Sequence, residues 1–138
     1  QLKDKSIDRI VSSPLLRTRQ TAGILGDALG APVEFDDALR EIDMGEFDGK
    51  PYADYHAFFD SHGHSFDVPI PGGESWRQVA DRMMGALRDI DAKHKDETIL
   101  LVSHEDPLAL LDWSLCSTDP KDFDNAKFLK TGEWSRLE

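Results

Sequence analysis

The stretch RIVSSPLLRTRQTAGIL (9–25) joins a run of strand-forming residues to a run with helical spacing, and this order decides the fold class. Ile10 and Val11, preceded by Ile7, read as the end of a short buried strand. Ser13-Pro14 reads as a helix start, a capping hydroxyl followed by proline at the first helical position. Thr18, Ala22, Leu25 and Leu29 then recur on one helical face, and Gly30 with Pro32 marks the stop. Arg17 and Arg19 break the pattern. They sit in the first turns, where the positive end of the helix dipole disfavours a cation by roughly a few tenths of a kcal/mol. A helix start with an arginine beside it suits an anion. Two solvated surface arginines fit the spacing equally well, so this segment alone leaves both readings open.

The 138 residues are enough for one domain with a real core. A hydrophobic content of 39%, with three Trp, seven Phe and two Tyr, fits a globular protein rather than a disordered one. Sixteen basic against 27 acidic residues give a net charge of −11, which argues against nucleic-acid and anionic-membrane partners. A phosphate-like ligand would be repelled by such a chain at large. Its site therefore needs a local concentration of Arg, His and backbone N–H groups. The lone Cys116 excludes an intramolecular disulfide, fits a reducing, cytoplasmic location, and reads as a small buried side chain. No run reaches transmembrane length, and no signal-peptide pattern is visible.

Along the chain, APVEF (31–35) is a weak strand candidate, and 36–52 reads as loop or irregular. A short helix is expected over 53–63, stopped by Gly63, followed by a second loop over 64–73. The clearest helix spans 74–94. Ser75 and Gln78 form a capping box, and Trp76, Val79, Met83, Leu87 and Ile90 share one face. TILLVSH (98–104) reads as a parallel strand buried on both faces, and 105–116 as a helix capped by Asp106 with Pro107 first. The tail offers two weak edge strands, 126–131 and 133–138. Alternating strands and helices predict an α/β fold, a mostly parallel sheet flanked by helices.

His104 ends a buried strand and a helix follows at once. Ligands of open parallel sheets gather at the carboxyl ends of strands, so Ser12, Ser13, Arg17 and His104 fall on one rim. A lone histidine at a strand end also fits a purely structural role; the pairing with Arg17 carries the inference. HGH (62–64) lacks a carboxylate partner in register for a metal site. DPKDFDN (119–125) lacks the glycine and terminal glutamate of a calcium loop, so no metal and no cofactor is expected.

SSPLLRTRQTA resembles the S-S-P-L-x-R-A-x-Q-T-A motif of the histidine phosphatase superfamily, the phosphoglycerate-mutase-like fold. LREIDMGEFDG resembles that family's L-x-E…G-x-W/F-x-G segment, PGGES its P-x-G-E-S motif, and LLVSHE its V-S/T-H-G. The motifs fall in the family's order and span nearly the whole chain. The resemblance implies phosphoryl transfer through a phosphohistidine without a metal, on a small phosphorylated substrate. It makes Arg17 a phosphate-binding residue, with Ser13 and Glu74 in the substrate-binding set, and His104 the second active-site histidine. Glu74 is expected to support the active-site loop, and it equally fits a first-turn carboxylate favoured by the helix dipole. Glu41 becomes the proton donor to the leaving oxygen.

Two departures stand out. The R-H-G motif that carries the nucleophilic histidine is absent from the 138 residues. SHGH (61–64) is no relocated copy, because no buried strand precedes it. The chain therefore reads as a single histidine-phosphatase-like domain, 1–138, incomplete at its N-terminus and lacking its first central strand. That strand is expected between the strands ending at Ser12 and His104. On this reading the piece alone is inactive, and insoluble, molten or self-associated through bared strand edges. Second, Glu105 stands where the family has glycine. A carboxylate beside a bound phosphate is pushed toward its protonated form, so Glu105 rivals Glu41 as general acid. A solvated first-turn carboxylate is the plain alternative. The short run from Glu41 to Gly73 favours a phosphomonoester hydrolase over a phosphoglycerate mutase; a non-catalytic phosphate-binding or scaffold protein is the reading from another class.

Overall fold

Ile10 and Val11 are neighbours on one strand and therefore face opposite sides of the sheet. Each is buried against a different layer. In the computed structural model, which describes residues 2, 4–117, 119–126 and 128–137, strand β1 is Arg9–Ser12. Ile10 packs with Ala22 and Ala31 under helix α1, Leu16–Leu29. Val11 faces Leu39, Val79, Met83 and Leu110 under helices α3, Trp76–Lys93, and α4, Glu105–Cys116. The result is a helix, sheet, helix sandwich.

The sheet runs β2-β1-β3, with β2 Val33–Phe35 and β3 Ile99–Val102 both parallel to β1. The α/β class is therefore as the pattern predicts. The expected strand between β1 and β3 is not there: the two pair directly, Arg9 opposite Ile99 and Ser12 opposite Val102. Sequence order does not dictate spatial order in a parallel sheet, because each crossover helix can step to either side. Nor is β3 buried on both faces. Its four residues are all half-exposed, as in a strand with a neighbour on one side. Across the amino ends of the strands, Arg9 bridges Glu34 on β2 at 2.6 Å and Glu97 before β3 at 2.8 Å.

Local starts differ from the simplest reading. Helix α1 begins at Leu16 rather than Pro14, and Leu15 at its N-cap offers no side-chain bond. Ser13 instead continues the sheet pattern, its N–H donating to the Val102 carbonyl at 2.8 Å. The helix ends as expected, Gly30 at φ 68° returning its N–H to Gly26. Helix α4 starts at Glu105, with His104 and not Asp106 at the N-cap. Leu108 N–H already reaches the His104 carbonyl at 3.1 Å. Pro107 falls inside the first turn, where a missing N–H leaves nothing unpaired. The capping box of α3 is present in both directions, Ser75 with Gln78.

Helix α2, Tyr52–Ser61, follows a loop that carries two 3-10 turns, Asp37–Leu39 and Gly45–Phe47, and precedes the loop that leads to α3. A third 3-10 turn, Pro120–Asn125, follows α4. The two tail strands are not formed: the described residues of 126–131 and 133–138 are turn or irregular, and Lys127 and Glu138 lie outside the description. Cys116, expected to be buried, is exposed on the last turn of α4. Among the described residues, no helix is long and apolar enough to cross a membrane, and no group of three or more metal-ligating side chains gathers.

Candidate active site

Because β1 and β3 are parallel neighbours, the turns that leave them open side by side, and α1 and α4 start there. Ser13 follows β1, and His104 is two residues past the end of β3. Both are buried, and Ser13 Oγ lies 2.8 Å from His104 Nε2. Arg17, in the first turn of α1, places Nη2 2.8 Å from His104 Nδ1. The same nitrogen is 3.3 Å from Glu41 Oε2, which is itself 3.6 Å from His104 Nδ1. Four residues separated by up to 91 positions thus form one hydrogen-bonded centre.

These contacts fix the imidazole. A guanidinium only donates, so Nδ1 must present its lone pair to Arg17. Nε2 then carries the hydrogen and donates it to Ser13 Oγ. His104 is held neutral: burial, then the positive charges of Arg17 and Arg82, lower its pKa from 6.5 to about 4. Glu41 moves the other way. Burial pushes its carboxyl up and Asp106 adds to that, against the Ile42 amide and Arg17, which favour the anion. The centre thus pairs a neutral histidine with a carboxyl biased toward keeping its proton, next to an arginine whose side chain is 63% exposed.

Glu74 has different partners. Burial would raise its pKa, but two bonds from Arg82, at 2.8 and 3.0 Å, and the Asp43 N–H at 3.0 Å hold it low. Arg82 also donates to the carbonyls of Ala38 at 2.6 Å and Glu41 at 3.2 Å. The Glu74–Arg82 pair therefore anchors the backbone of the segment that presents Glu41, rather than joining Arg17 and His104. Glu105 is exposed on the first turn of α4, outside the hydrogen-bonded centre. Arg19 stacks its guanidinium over Phe35, 4.9 Å from the ring centroid.

Sequence reasoning missed Arg82 and gave Asp106 only a capping role. Eight residues separate Glu74 from Arg82, a spacing with no local meaning until the chain folds. The PGGES segment gains a physical reason. A side chain on Gly73 would collide with the Asp43 carbonyl, and one on Gly45 with the backbone of Pro71 to Gly73. Gly73→Ala should therefore destabilise the protein by about 1–3 kcal/mol in urea unfolding and loosen the Glu41 segment with it. An unchanged unfolding midpoint would mean that the two loops do not need their close approach.

The sequence model described as "Histidine phosphatase superfamily (branch 1)" matches residues 1–138. The chain is 29% identical over 120 residues to the "Uncharacterized phosphatase PhoE" of Bacillus subtilis, covering 87% of this chain and 59% of that protein. It is 36% identical over 104 residues to a "Probable phosphoglycerate mutase GpmB" of Salmonella choleraesuis, covering 72% of this chain and 48% of the relative. It thus spans roughly half the length of these relatives. Among solved structures, a mycobacterial glucosyl-3-phosphoglycerate phosphatase, in complex with VO3, superimposes with a TM-score of 0.77 at 28% identity. That match covers 93% of this chain and 67% of the other.

Proposed function

Because this chain belongs to the histidine phosphatase superfamily, we propose that its natural gene product is a cytoplasmic phosphomonoester hydrolase acting through a phosphohistidine. The nucleophilic histidine is not supplied by an R-H-G motif within these 138 residues. The observation that carries the reading is the Arg17, His104 and Glu41 centre, in which Arg17 lies 2.8 Å from His104 Nδ1 and 3.3 Å from Glu41. An arriving phosphate takes the Arg17 N–H groups. Nδ1 of His104 then takes a proton from solvent or from the phosphate monoanion and donates it to a phosphate oxygen, while Nε2–H stays on Ser13. The charge that builds on the equatorial oxygens during transfer is met by both residues. Glu41 supplies its carboxyl proton to the departing alkoxide.

Leaving-group dependence tests the role of Glu41. Glu41→Gln in the natural full-length gene product should slow alkyl phosphates by about 100-fold or more. It should slow p-nitrophenyl phosphate far less, because that leaving group scarcely needs a proton. Glu105→Gln should not separate the two substrates. Equal slowing of both by Glu41→Gln would remove the acid role from that residue.

The 36% identity to a probable mutase supports phosphoglycerate mutase as the second reading. Interconversion of 3- and 2-phosphoglycerate faster than their hydrolysis would favour it.

A further inference from the structure

We infer, on the phosphatase reading above, that Ser103 and Arg82 are positioning residues for the proton donor: together they hold the Glu41 segment in one fixed relation to His104. Glu41 lies between two buried side chains, Leu39 and Ile42. Their burial fixes where the segment runs. It does not fix how the peptide planes between them are turned, since each residue keeps two soft dihedrals. That turn decides where the Glu41 carboxyl points. Three carbonyls of the segment are held by side chains from elsewhere. The Ser103 hydroxyl donates to the Leu39 carbonyl at 2.8 Å. Arg82 donates to the Ala38 carbonyl at 2.6 Å and to the carbonyl of Glu41 itself at 3.2 Å. The last bond sets the peptide plane next to the reacting side chain.

Both struts start from elements that frame the centre. Ser103 directly precedes His104 in the turn between β3 and α4, so its bond ties the Glu41 segment to the turn that presents the imidazole. Arg82 comes from α3, which packs against α4 and against the 3-10 turn Asp37–Leu39. Its guanidinium is a rigid planar fork, so the acceptors it holds are fixed relative to one another. Two of its bonds go to Glu74, which in turn accepts the Asp43 N–H at 3.0 Å and so closes the far end of the segment. The Glu41 carboxyl itself is held only by the adjacent Ile42 N–H at 3.1 Å and by Arg17 at 3.3 Å. An arriving phosphate draws Arg17 away, and the backbone struts then keep Glu41 in place. A proton donor must stay within hydrogen-bond reach of the departing oxygen, and a misplacement of about 1 Å costs on the order of 100-fold.

A displaced acid leaves a signature that general loosening does not. In the natural full-length gene product, Arg82→Lys keeps the charge and loses the fork. It should lower kcat/KM for glycerol 3-phosphate about 30-fold or more, and for p-nitrophenyl phosphate less than about threefold. Inhibition by inorganic phosphate should stay within about twofold, because Arg17 still receives the anion. Ser103→Ala should show the same split on a smaller scale, about fivefold on glycerol 3-phosphate. Ser103→Thr, which keeps the hydroxyl, should restore the rate. Equal slowing of both esters by these variants, or a glycerol 3-phosphate rate left intact in Arg82→Lys and Ser103→Ala, would overturn the inference. So would Ser103→Thr behaving like Ser103→Ala. If Arg82→Lys does not fold, the Ser103 pair decides by the same ratio. An unaltered protein that hydrolyses neither ester would instead remove the phosphatase reading. Equal slowing of both by Glu41→Gln would remove the acid, and its positioning with it.

Discussion

Arg17→Ala in the natural full-length gene product should lower kcat/KM for p-nitrophenyl phosphate by two orders of magnitude or more, about 3 kcal/mol of transition-state stabilisation. Arg17 contacts both His104 and Glu41 and is the arginine exposed to an incoming anion. Its removal takes away a bidentate donor at the point where oxygen charge develops, and lets the imidazole drift from its partner. Arg19→Ala is the matched control. That guanidinium lies over Phe35 and touches none of the centre, so the loss there should stay under about threefold. A loss below fivefold for Arg17→Ala would remove its role as phosphate clamp.

The second large effect is one of stability against pH. Folded His104 takes its proton only near pH 4, while in the unfolded chain it does so near 6.5. Between those values the unfolded state binds more protons, so stability must fall as pH drops from about 6.5 toward 4. His104 is 6% exposed, so solvent screening discounts the effect little, and the full contribution is about 3 kcal/mol. Other groups titrate nearby. The raised carboxyls of Glu41 and Asp106 act with the opposite sign, gaining stability for the fold as pH falls through their folded values. Urea unfolding of the wild type and His104→Gln, each at pH 7 and pH 4.5, cancels most of that background. The wild type should lose about 2 kcal/mol more than the variant over this interval. Equal losses would mean that the buried imidazole is not held neutral by its surroundings.

Much of this could be read from local pattern. Helix α3 announces itself through Ser75, Gln78 and an apolar stripe, all within one segment, and the structure places each there. The span of α4, though not its cap, follows from VSH giving way to the largely apolar run that ends at Cys116. What local pattern does not carry is which strand lies beside which. The β1–β3 pairing depends on the side to which each crossover helix packs, and no short stretch of residues encodes that. The helix starts misled for a related reason. Ser13 and Asp106 have capping chemistry, but Ser13 is drawn to His104, a partner 91 positions away. Within the site, Ser13, Arg17, Glu41 and His104 were visible as motif residues, and the fold brings them together. Glu74 was visible as well, but its partner Arg82 was not, since a long flexible side chain reaching the carbonyls of Ala38 and Glu41 leaves no periodic trace.

The central claim is that Arg17 and His104 together receive a phosphate group, and the imidazole of His104 reports on it directly. Ring 1H–15N spectra should show His104 neutral at pH 6, with its hydrogen on Nε2. Titration with inorganic phosphate should convert it to the doubly protonated form by raising its pKa, as a bound anion must. In Arg17→Ala the same phosphate should leave the ring largely unprotonated. A His104 ring that ignores phosphate, or responds equally with and without Arg17, would contradict the account.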